Sequence, residues 1–260
     1  MTTIHFTKYQ GTGNDFILID NLNSQVGQLT QEQIKFLCDR KYGVGADGLI
    51  LIEPSKNADF YMNYYNSDGS QSFCGNGSRC SVHFAYSLGK ISNETSFDAI
   101  DGMHKAKISN DLISIEMKSV PSIVKQNDDF ILSTGSPHFV RISDDISTQL
   151  IVKVGKMVRF SNDFLKEGIN VNLMRIINQD SIEIATYERG VENETLSCGT
   201  GATACAIVLN EIDSNIGKRD VLVKVKGGNL RVSYVSSPSG YDSIELSGPA
   251  IPVFNGRIEI

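Results

Sequence analysis

The stretch Cys198-Gly199-Thr200-Gly201-Ala202-Thr203-Ala204-Cys205-Ala206-Ile207-Val208-Leu209 carries no charge and, from Ala202 onward, no large polar residue. A helix opening at its glycines would be apolar around the whole circumference, so other elements must bury it on every side. The same opening occurs as Cys74-Gly75-Asn76-Gly77, 124 residues upstream. Gly11-Thr-Gly-Asn-Asp-Phe has a looser counterpart in Gly135-Ser-Pro-His-Phe-Val at the same offset of 124, and Ser114-Ile-Glu-Met is answered by Ser243-Ile-Glu-Leu at 129. Motif pairs sharing one offset mark an internal duplication. The small drift fits a longer loop in the second copy, between Ser236 and Tyr241, with its Pro and Gly.

Within each copy the pattern is mainly short β-branched or aromatic runs bounded by Gly, Asn or Asp, with one or two helices. In the first copy these predict strands over Phe16–Asp20, Phe60–Tyr65, Thr95–Asp101, Lys105–Ser109 and Ile113–Met117. Thr30–Arg40 predicts a surface helix with Thr30 as N-cap, Gln33 at the capping-box position, and Ile34, Leu37 and Cys38 on the packed face. Short strands have to wrap the apolar helix that follows each Cys-Gly-x-Gly. The expected fold is therefore α+β, with two pseudo-symmetric domains, each a curled, mainly antiparallel sheet (a roll or barrel) around a central helix. The repeat places one domain at 1–117 together with 249–260 and the other at 118–248, with an active site expected in the cleft between them.

The chain has 260 residues, and 24 Lys+Arg against 30 Asp+Glu give a net charge of −6, which argues against a nucleic-acid binder. With 40% hydrophobic and 21% charged residues and 6 prolines, it is neither a disordered nor a fibrous sequence. No run approaches the ~18 apolar residues of a membrane span, and the first 20 residues lack a signal peptide's pattern. A cytoplasmic protein is expected. The five cysteines, Cys38, Cys74, Cys80, Cys198 and Cys205, include no CxxC pair, so free thiols are expected.

Gly199-Thr-Gly-Ala-Thr-Ala matches the G-x-G-x-x-A dinucleotide fingerprint in letters. That fingerprint requires a preceding strand and a later acidic residue in a βαβ unit, and Gly75-Asn-Gly-Ser-Arg-Cys lacks the third small residue. The four histidines are scattered without ligand spacing, so neither metal nor organic cofactor is expected. Most free cysteines are small buried hydrophobes, and Cys38, Cys80 and Cys205 read that way. Cys74 and Cys198 differ, because each precedes two glycines at a helix start. Free backbone N–H groups and the positive end of the helix dipole stabilise a thiolate there. Two such thiols, one per copy, supply a base for one face of a carbon and an acid for the other. The paired helix N-termini would hold a carboxylate between them. That is the logic of a racemase or epimerase working without an electron-sink cofactor.

The residues that carry this reading also resemble the diaminopimelate epimerases almost end to end. The resemblance rests on Gly11-Thr-Gly-Asn-Asp-Phe, Gly43-Val-Gly-Ala-Asp-Gly, Asn66-Ser-Asp-Gly-Ser, Cys74-Gly-Asn-Gly-Ser-Arg-Cys, Pro137-His138, Gly168-Ile-Asn-Val, Tyr187-Glu-Arg-Gly and Cys198-Gly-Thr-Gly-Ala. It implies a cofactor-independent isomerase that interconverts LL- and meso-diaminopimelate in lysine and peptidoglycan precursor synthesis. It makes Cys74 and Cys198 the two bases, with Glu188 and His138 supporting the reacting centre. Backbone N–H groups of Gly75, Asn76, Gly199 and Thr200 would hold the near carboxylate, and Asn66, Asn170 and Arg189 the distal end, where a guanidinium suits a carboxylate. Asn14 would line the same cleft. Taken alone, His138 reads equally as a core histidine, Glu188 and Arg189 as solvated charges, and Asn66 and Asn170 as turn residues.

The chain departs from the family pattern at Ser136, where well-known members have Asn, and at Gly48, where many have Gln; no role is carried onto either. The segment from Arg189 to Cys198 is one residue longer. A racemase of another amino acid, of histidine or proline type, would share the thiol pair and differ in the distal pocket. A non-catalytic amino-acid binder and a dithiol redox protein are the readings from other classes. The expected partner is a small-molecule substrate, with no nucleic acid and no membrane; a homodimer is left open.

Overall fold

A computed structural model of the chain describes residues 2–110 and 112–260. The chain divides into two compact units, Met1–Ile115 with Gly248–Ile260, and Glu116–Ser247. These limits fall two residues and one residue earlier than the expected ends at 117 and 248.

The first unit is built from β1 (Thr3–Gly11), β2 (Asn14–Asp20), α1 (Gln31–Cys38), β3 (Gly48–Glu53), β4 (Phe60–Asn66), α2 (Gly75–Ser87), β5 (Glu94–Ala99), β6 (Gly102–Ser109) and β7 (Leu112–Glu116). The second contains β8 (Val124–Gln126), β9 (Asp129–Ser133), β10 (Pro137–Ile142), α3 (Thr148–Arg159), β11 (Asn170–Asn178), β12 (Ser181–Glu188), β13 (Asn193–Thr195), α4 (Gly199–Asp213), β14 (Gly217–Val225), β15 (Gly228–Ser237) and β16 (Gly240–Pro249). The last strand, β17 (Ile251–Glu259), returns to the first unit and pairs antiparallel with β1.

The duplication is written in the pairing pattern. In the first unit β1 and β2 are antiparallel, β2 and β3 parallel, β3 and β4 antiparallel, and β4 and β5 parallel, after which β5, β6 and β7 form an antiparallel ladder. In the second, β9 and β10 are antiparallel, β10 and β11 parallel, β11 and β12 antiparallel, and β12 and β14 parallel, followed by antiparallel β14, β15 and β16. Each parallel pair needs a crossover, and α1, α2, α3 and α4 provide them. The fold is the expected α+β arrangement of mainly antiparallel curled sheets.

Helices α2 and α4 occupy the cores. From Gly201 to Asn210 every residue of α4 is buried, against strand residues including Val140, Ile184, Val221, Val232, Tyr234 and Leu246. Around α2, Cys80, Val82, Phe84 and Ala85 pack on Tyr9, Phe16, Ile50, Met62 and Phe97. Each fully buried large apolar side chain contributes roughly 1.5–3 kcal/mol, so most of the fold's stabilisation converges on these two helices.

Helix α1 carries its capping box, with Gln33 N donating to Thr30 Oγ1 at 3.2 Å and Thr30 N to Gln33 Oε1 at 2.9 Å, and it buries Ile34, Leu37 and Cys38. It ends at Cys38 rather than Arg40. Asp39 is extended and its carboxylate accepts from the N–H groups of Lys41 and Tyr42, which unwinds the last predicted turn. Strand β5 stops at Ala99, because Ala99 pairs with Gly102 and leaves Ile100 and Asp101 as the hairpin turn. Helix α3, which the sequence reading did not delimit, buries Ile151, Val154, Gly155 and Val158 at helical spacing. Among the described residues, no helix is long and apolar enough to cross a membrane.

Candidate active site

Each helix that fills a core begins with one of the repeated cysteines. Cys74 is the N-cap of α2 and Cys198 the N-cap of α4, with matching backbone conformations, φ −132°, ψ 112° and φ −125°, ψ 112°. An extended N-cap followed by a tight first turn directs the N–H groups of Gly75 and Asn76, and of Gly199 and Thr200, forward along the helix axis, where an anion is favoured. Cys74 Sγ also accepts from Gly77 N at 3.4 Å.

In the first unit, Asn14 opens β2 and sits beside the cysteine. Its Oδ1 lies 3.7 Å from Cys74 Sγ and accepts from Asn76 Nδ2 at 3.3 Å, while its Nδ2 donates to Asp47 Oδ2 at 2.6 Å. Asp47 is itself held by Arg40, which spans to Asp15, and Asp15 pairs with Lys8. Burial opposes ionisation of Asp15, but Arg40 and Lys8 outweigh it and hold the carboxyl well below the usual range. Asn66 ends β4; its Oδ1 accepts from the Tyr64 hydroxyl at 3.0 Å and its Nδ2 donates to Ser70 and Ser72. Gly48 stands where a Cβ would lie 2.4 Å from Tyr64 Cε2 and 2.9 Å from its hydroxyl oxygen. The phenol therefore fills the space in which a larger residue at 48 would stand.

In the second unit, a hydrogen-bond network gathers His138, Thr200, Ser136 and Asn170 around Cys198. Thr200 Oγ1 lies 3.4 Å from Cys198 Sγ and 2.8 Å from His138 Nε2. Ser136 Oγ lies 3.0 Å from the same ring nitrogen and 3.1 Å from Thr200 Oγ1, and accepts from Asn170 Nδ2 at 3.2 Å. Burial, reinforced by Arg189, pushes the His138 pKa down to about 3, so the ring is neutral. Asn170 Oδ1 accepts from the Arg189 backbone N–H at 2.9 Å. The Arg189 guanidinium is exposed and donates to the Glu167 carbonyl, and Glu188 accepts from the Thr195 hydroxyl at 3.0 Å.

Two participants were not singled out from sequence, Asn172 and Tyr64. Asn172 lies fully buried on the same face of β11 as Asn170. Two asparagines two apart in the buried, otherwise apolar first half of the strand, Asn170 to Met174, are the signal that could have found it. The remaining cysteines are core residues. Burial pushes the thiols of Cys38 and Cys80 up to about 11 and about 12 and raises that of Cys205 well above its ordinary value. Among the described residues, no group of three or more His, Cys, Asp or Glu side chains is placed to hold a metal ion.

Residues 6–122 and 130–246 each match the sequence model of diaminopimelate epimerase. The chain belongs to the diaminopimelate epimerase family. It is 46% identical over 253 residues to the diaminopimelate epimerase of Flavobacterium psychrophilum, covering 96% of this chain and 98% of that one. The diaminopimelate epimerase of Aquifex aeolicus is 36% identical over 275 residues, with 98% of both chains covered. Among solved structures, the Bacillus anthracis phenazine biosynthesis protein of the PhzF family superposes with a TM-score of 0.74 over 100% of both chains at 14% identity. That likeness is one of fold alone. The two family matches fall one on each copy of the repeat, so the motif pairs and the strand pairing describe the same duplication.

Proposed function

We propose that this chain is an isomerase that interconverts LL- and meso-2,6-diaminopimelate with no cofactor, using Cys74 and Cys198 as its two bases. The observation that carries the reading is the pair of core helices, each capped at its N-terminus by a cysteine, in a chain of this family. A thiolate at one cysteine removes the α-proton, so a C–H bond breaks and an S–H bond forms. The electron pair left on carbon delocalises into the adjacent carboxylate, whose added charge the N–H groups of Gly75, Asn76, Gly199 and Thr200 stabilise. The other cysteine, protonated, delivers its proton to the opposite face. The configuration is then inverted and the two sulfurs have exchanged protonation states.

In this reading His138 is a neutral hydrogen-bond donor beside the reacting centre, and Glu188 supports the substrate's amino group. Asn14 lines the site, and Asn66, Asn170 and Arg189 receive the distal, non-reacting end. The activity belongs to lysine and peptidoglycan precursor synthesis, consistent with a cytoplasmic protein whose partner is a small molecule. The test is incubation with LL-diaminopimelate in deuterated water. Meso product carrying one deuterium at an α-carbon is expected, and its absence with active, folded protein overturns the reading.

A further inference from the structure

In the second unit one hydrogen-bond network runs in a single direction and ends on a sulfur. Asn172 Nδ2 donates to Nδ1 of the buried His138 at 3.1 Å, its Oδ1 being taken by the Thr186 hydroxyl, so the one proton of the ring sits on Nε2. Nε2–H lies between Thr200 Oγ1 at 2.8 Å and Ser136 Oγ at 3.0 Å. Asn170 Oδ1 accepts from the Arg189 N–H, so Nδ2 is the end that faces Ser136, and it donates to Oγ at 3.2 Å. Ser136 thus has donors on two sides, and Thr200 Oγ1, 3.1 Å away, is the acceptor left for its own proton. Thr200 Oγ1 then receives protons from His138 and Ser136, which fills both its lone pairs. Its own proton has one acceptor remaining in the network, Cys198 Sγ at 3.4 Å. The reverse assignment, with Thr200 donating to Ser136, leaves the Ser136 proton with no acceptor in the network.

The two repeated cysteines differ in this respect. Cys74 Sγ accepts the Gly77 N–H and lies 3.7 Å from Asn14 Oδ1, itself an acceptor. Helix α4 has no side-chain cap bond from Cys198, whose sulfur takes the hydroxyl instead. In the repeated Cys-Gly-x-Gly the third residue is Asn76 in one copy and Thr200 in the other, so the hydroxyl has no counterpart at Cys74. The charged and titratable groups that face this turn of α4 are few. Strand β10 brings the neutral His138, β11 the uncharged Asn170 and Asn172, and β12 Glu188, on the same face as Thr186. Glu188 opposes a thiolate, while Arg189, whose charge helps keep His138 unprotonated, favours one. On β13 Glu194 is paired with Lys226. Strands β9, β14 and β15 turn apolar residues to α4, together with Tyr234, whose hydroxyl bonds the Ala206 carbonyl further along the helix. Cys205, also further along, stays a thiol because burial raises its pKa. The Thr200 hydroxyl is the side-chain donor aimed at the sulfur itself.

We propose that the Thr200 side chain is a catalytic residue: its hydroxyl donates to Cys198 Sγ and stabilises that sulfur as a thiolate, with His138 and Ser136 holding the proton in that direction. A hydrogen bond made to the charged form of a group favours that form, and this one adds to the N–H groups and dipole of α4. One residue then serves twice, through its backbone N–H toward the substrate carboxylate and through its hydroxyl toward the base. This rests on Cys198 being a working thiol.

The experiment is alkylation of the full chain by iodoacetamide across a pH series, without substrate, with the extent at each cysteine read by peptide mass spectrometry. In the native protein the Cys198 midpoint is expected below the ~8.5 of an ordinary thiol. A midpoint at or above that value overturns the proposal whatever the variants do. Thr200→Val keeps the shape and the backbone N–H and leaves Ser136 Oγ as an acceptor for His138. Its turn stays pinned by Thr134 Oγ1, which donates to the carbonyl of residue 200 at 2.8 Å. This variant is expected to raise the Cys198 midpoint by about one pH unit, roughly a tenfold loss of thiolate below the midpoint, and to leave Cys74 within about 0.3 unit. Thr200→Ser, which keeps the hydroxyl, should restore most of the shift. A merely structural Thr200 would lower stability without moving one midpoint selectively. An unmoved Cys198 midpoint in folded Thr200→Val, equal shifts at both cysteines, or a Thr200→Ser midpoint no lower than that of Thr200→Val overturns the proposal. If Thr200→Val does not fold, the native midpoint decides alone. Because alkylation needs no turnover, failure of the deuterium experiment and failure here are separate results.

Discussion

Asn172 Nδ2 lies 3.1 Å from His138 Nδ1, and that one contact fixes which ring nitrogen carries the proton. Asn172 Oδ1 accepts from the Thr186 hydroxyl at 2.9 Å and Nδ2 also donates to the Phe139 carbonyl at 3.0 Å, so the amide can be oriented only one way. His138 Nδ1 is then an acceptor, and its Nε2–H is the donor that faces Ser136 and Thr200.

Replacing Asn172 by Leu removes that orientation and strands the Thr186 hydroxyl in the core. We expect a loss of about 1–3 kcal/mol in chemical denaturation and at least a tenfold fall in kcat. A variant with native turnover would show that the tautomer is held by other means.

The neutral state of His138 also sets a pH dependence of stability. Its folded pKa of about 3 lies below the ordinary 6.5. Between those values the unfolded chain takes up a proton that the folded chain refuses. Stability therefore falls as pH drops below 6.5, with this group contributing up to about 1.4 kcal/mol per pH unit. Denaturant titrations of the native protein and His138→Gln between pH 7 and 5 should diverge, with the variant the flatter of the two.

Serine offers far less anion than cysteine near neutral pH. Cys74→Ser and Cys198→Ser should each lower epimerisation by about a hundredfold or more in both directions, with folding unchanged in circular dichroism. Cys38→Ser, Cys80→Ser and Cys205→Ser bury a hydroxyl in an apolar site. They are expected to lose about 1–3 kcal/mol of stability while the folded fraction turns over within a few-fold of native.

At Gly48 a methyl group would strike the Tyr64 ring at 2.4 Å. Gly48→Ala should destabilise by about 1–3 kcal/mol and, by displacing the phenol that bonds Asn66, raise KM more than it lowers kcat. Tyr64→Ala should absorb most of the added cost. A double-mutant cycle with no coupling between the two positions would contradict this packing.

Asp47 orients Asn14 from a half-exposed position, and exposed ion pairs contribute little to stability. Asp47→Ala should leave the melting temperature within about 2 °C while reducing kcat/KM about tenfold. An equal loss of both would make Asp47 a folding residue instead.

The apolar run from Ala202 to Leu209 was legible because an all-round hydrophobic helix admits one environment, and the capped helix at Thr30 because its box is local chemistry. Helix α3 was harder to delimit. Its stripe of Ile151, Val154 and Val158 is broken by Gly155, and a Cβ there would lie 2.3 Å from the Tyr187 ring. That contact exists only after β12 is in place. The part played by Ser136, noted in the sequence only as a departure from the family pattern, and Asn172 itself were missed for a similar reason. Their roles come from neighbours 34 to 64 residues away, and short polar side chains carry no periodic signal of such pairings. At Gly48 the sequence showed a departure from the family pattern, while the occupant of the space, Tyr64, lay on another strand.

The strand beside β9 is β8, its immediate predecessor in the chain, whereas the equivalent place beside β1 is taken by β17, more than two hundred residues later. On a ribosome the two copies therefore mature in the reverse of the order in which they are made. The second can complete its sheet as soon as β16 emerges, while the first, begun earlier, keeps one flank of β1 open until β17 emerges. An open strand edge is a template for pairing with other chains. The open flank of the first copy thus persists through the synthesis of the whole second copy and closes only with β17.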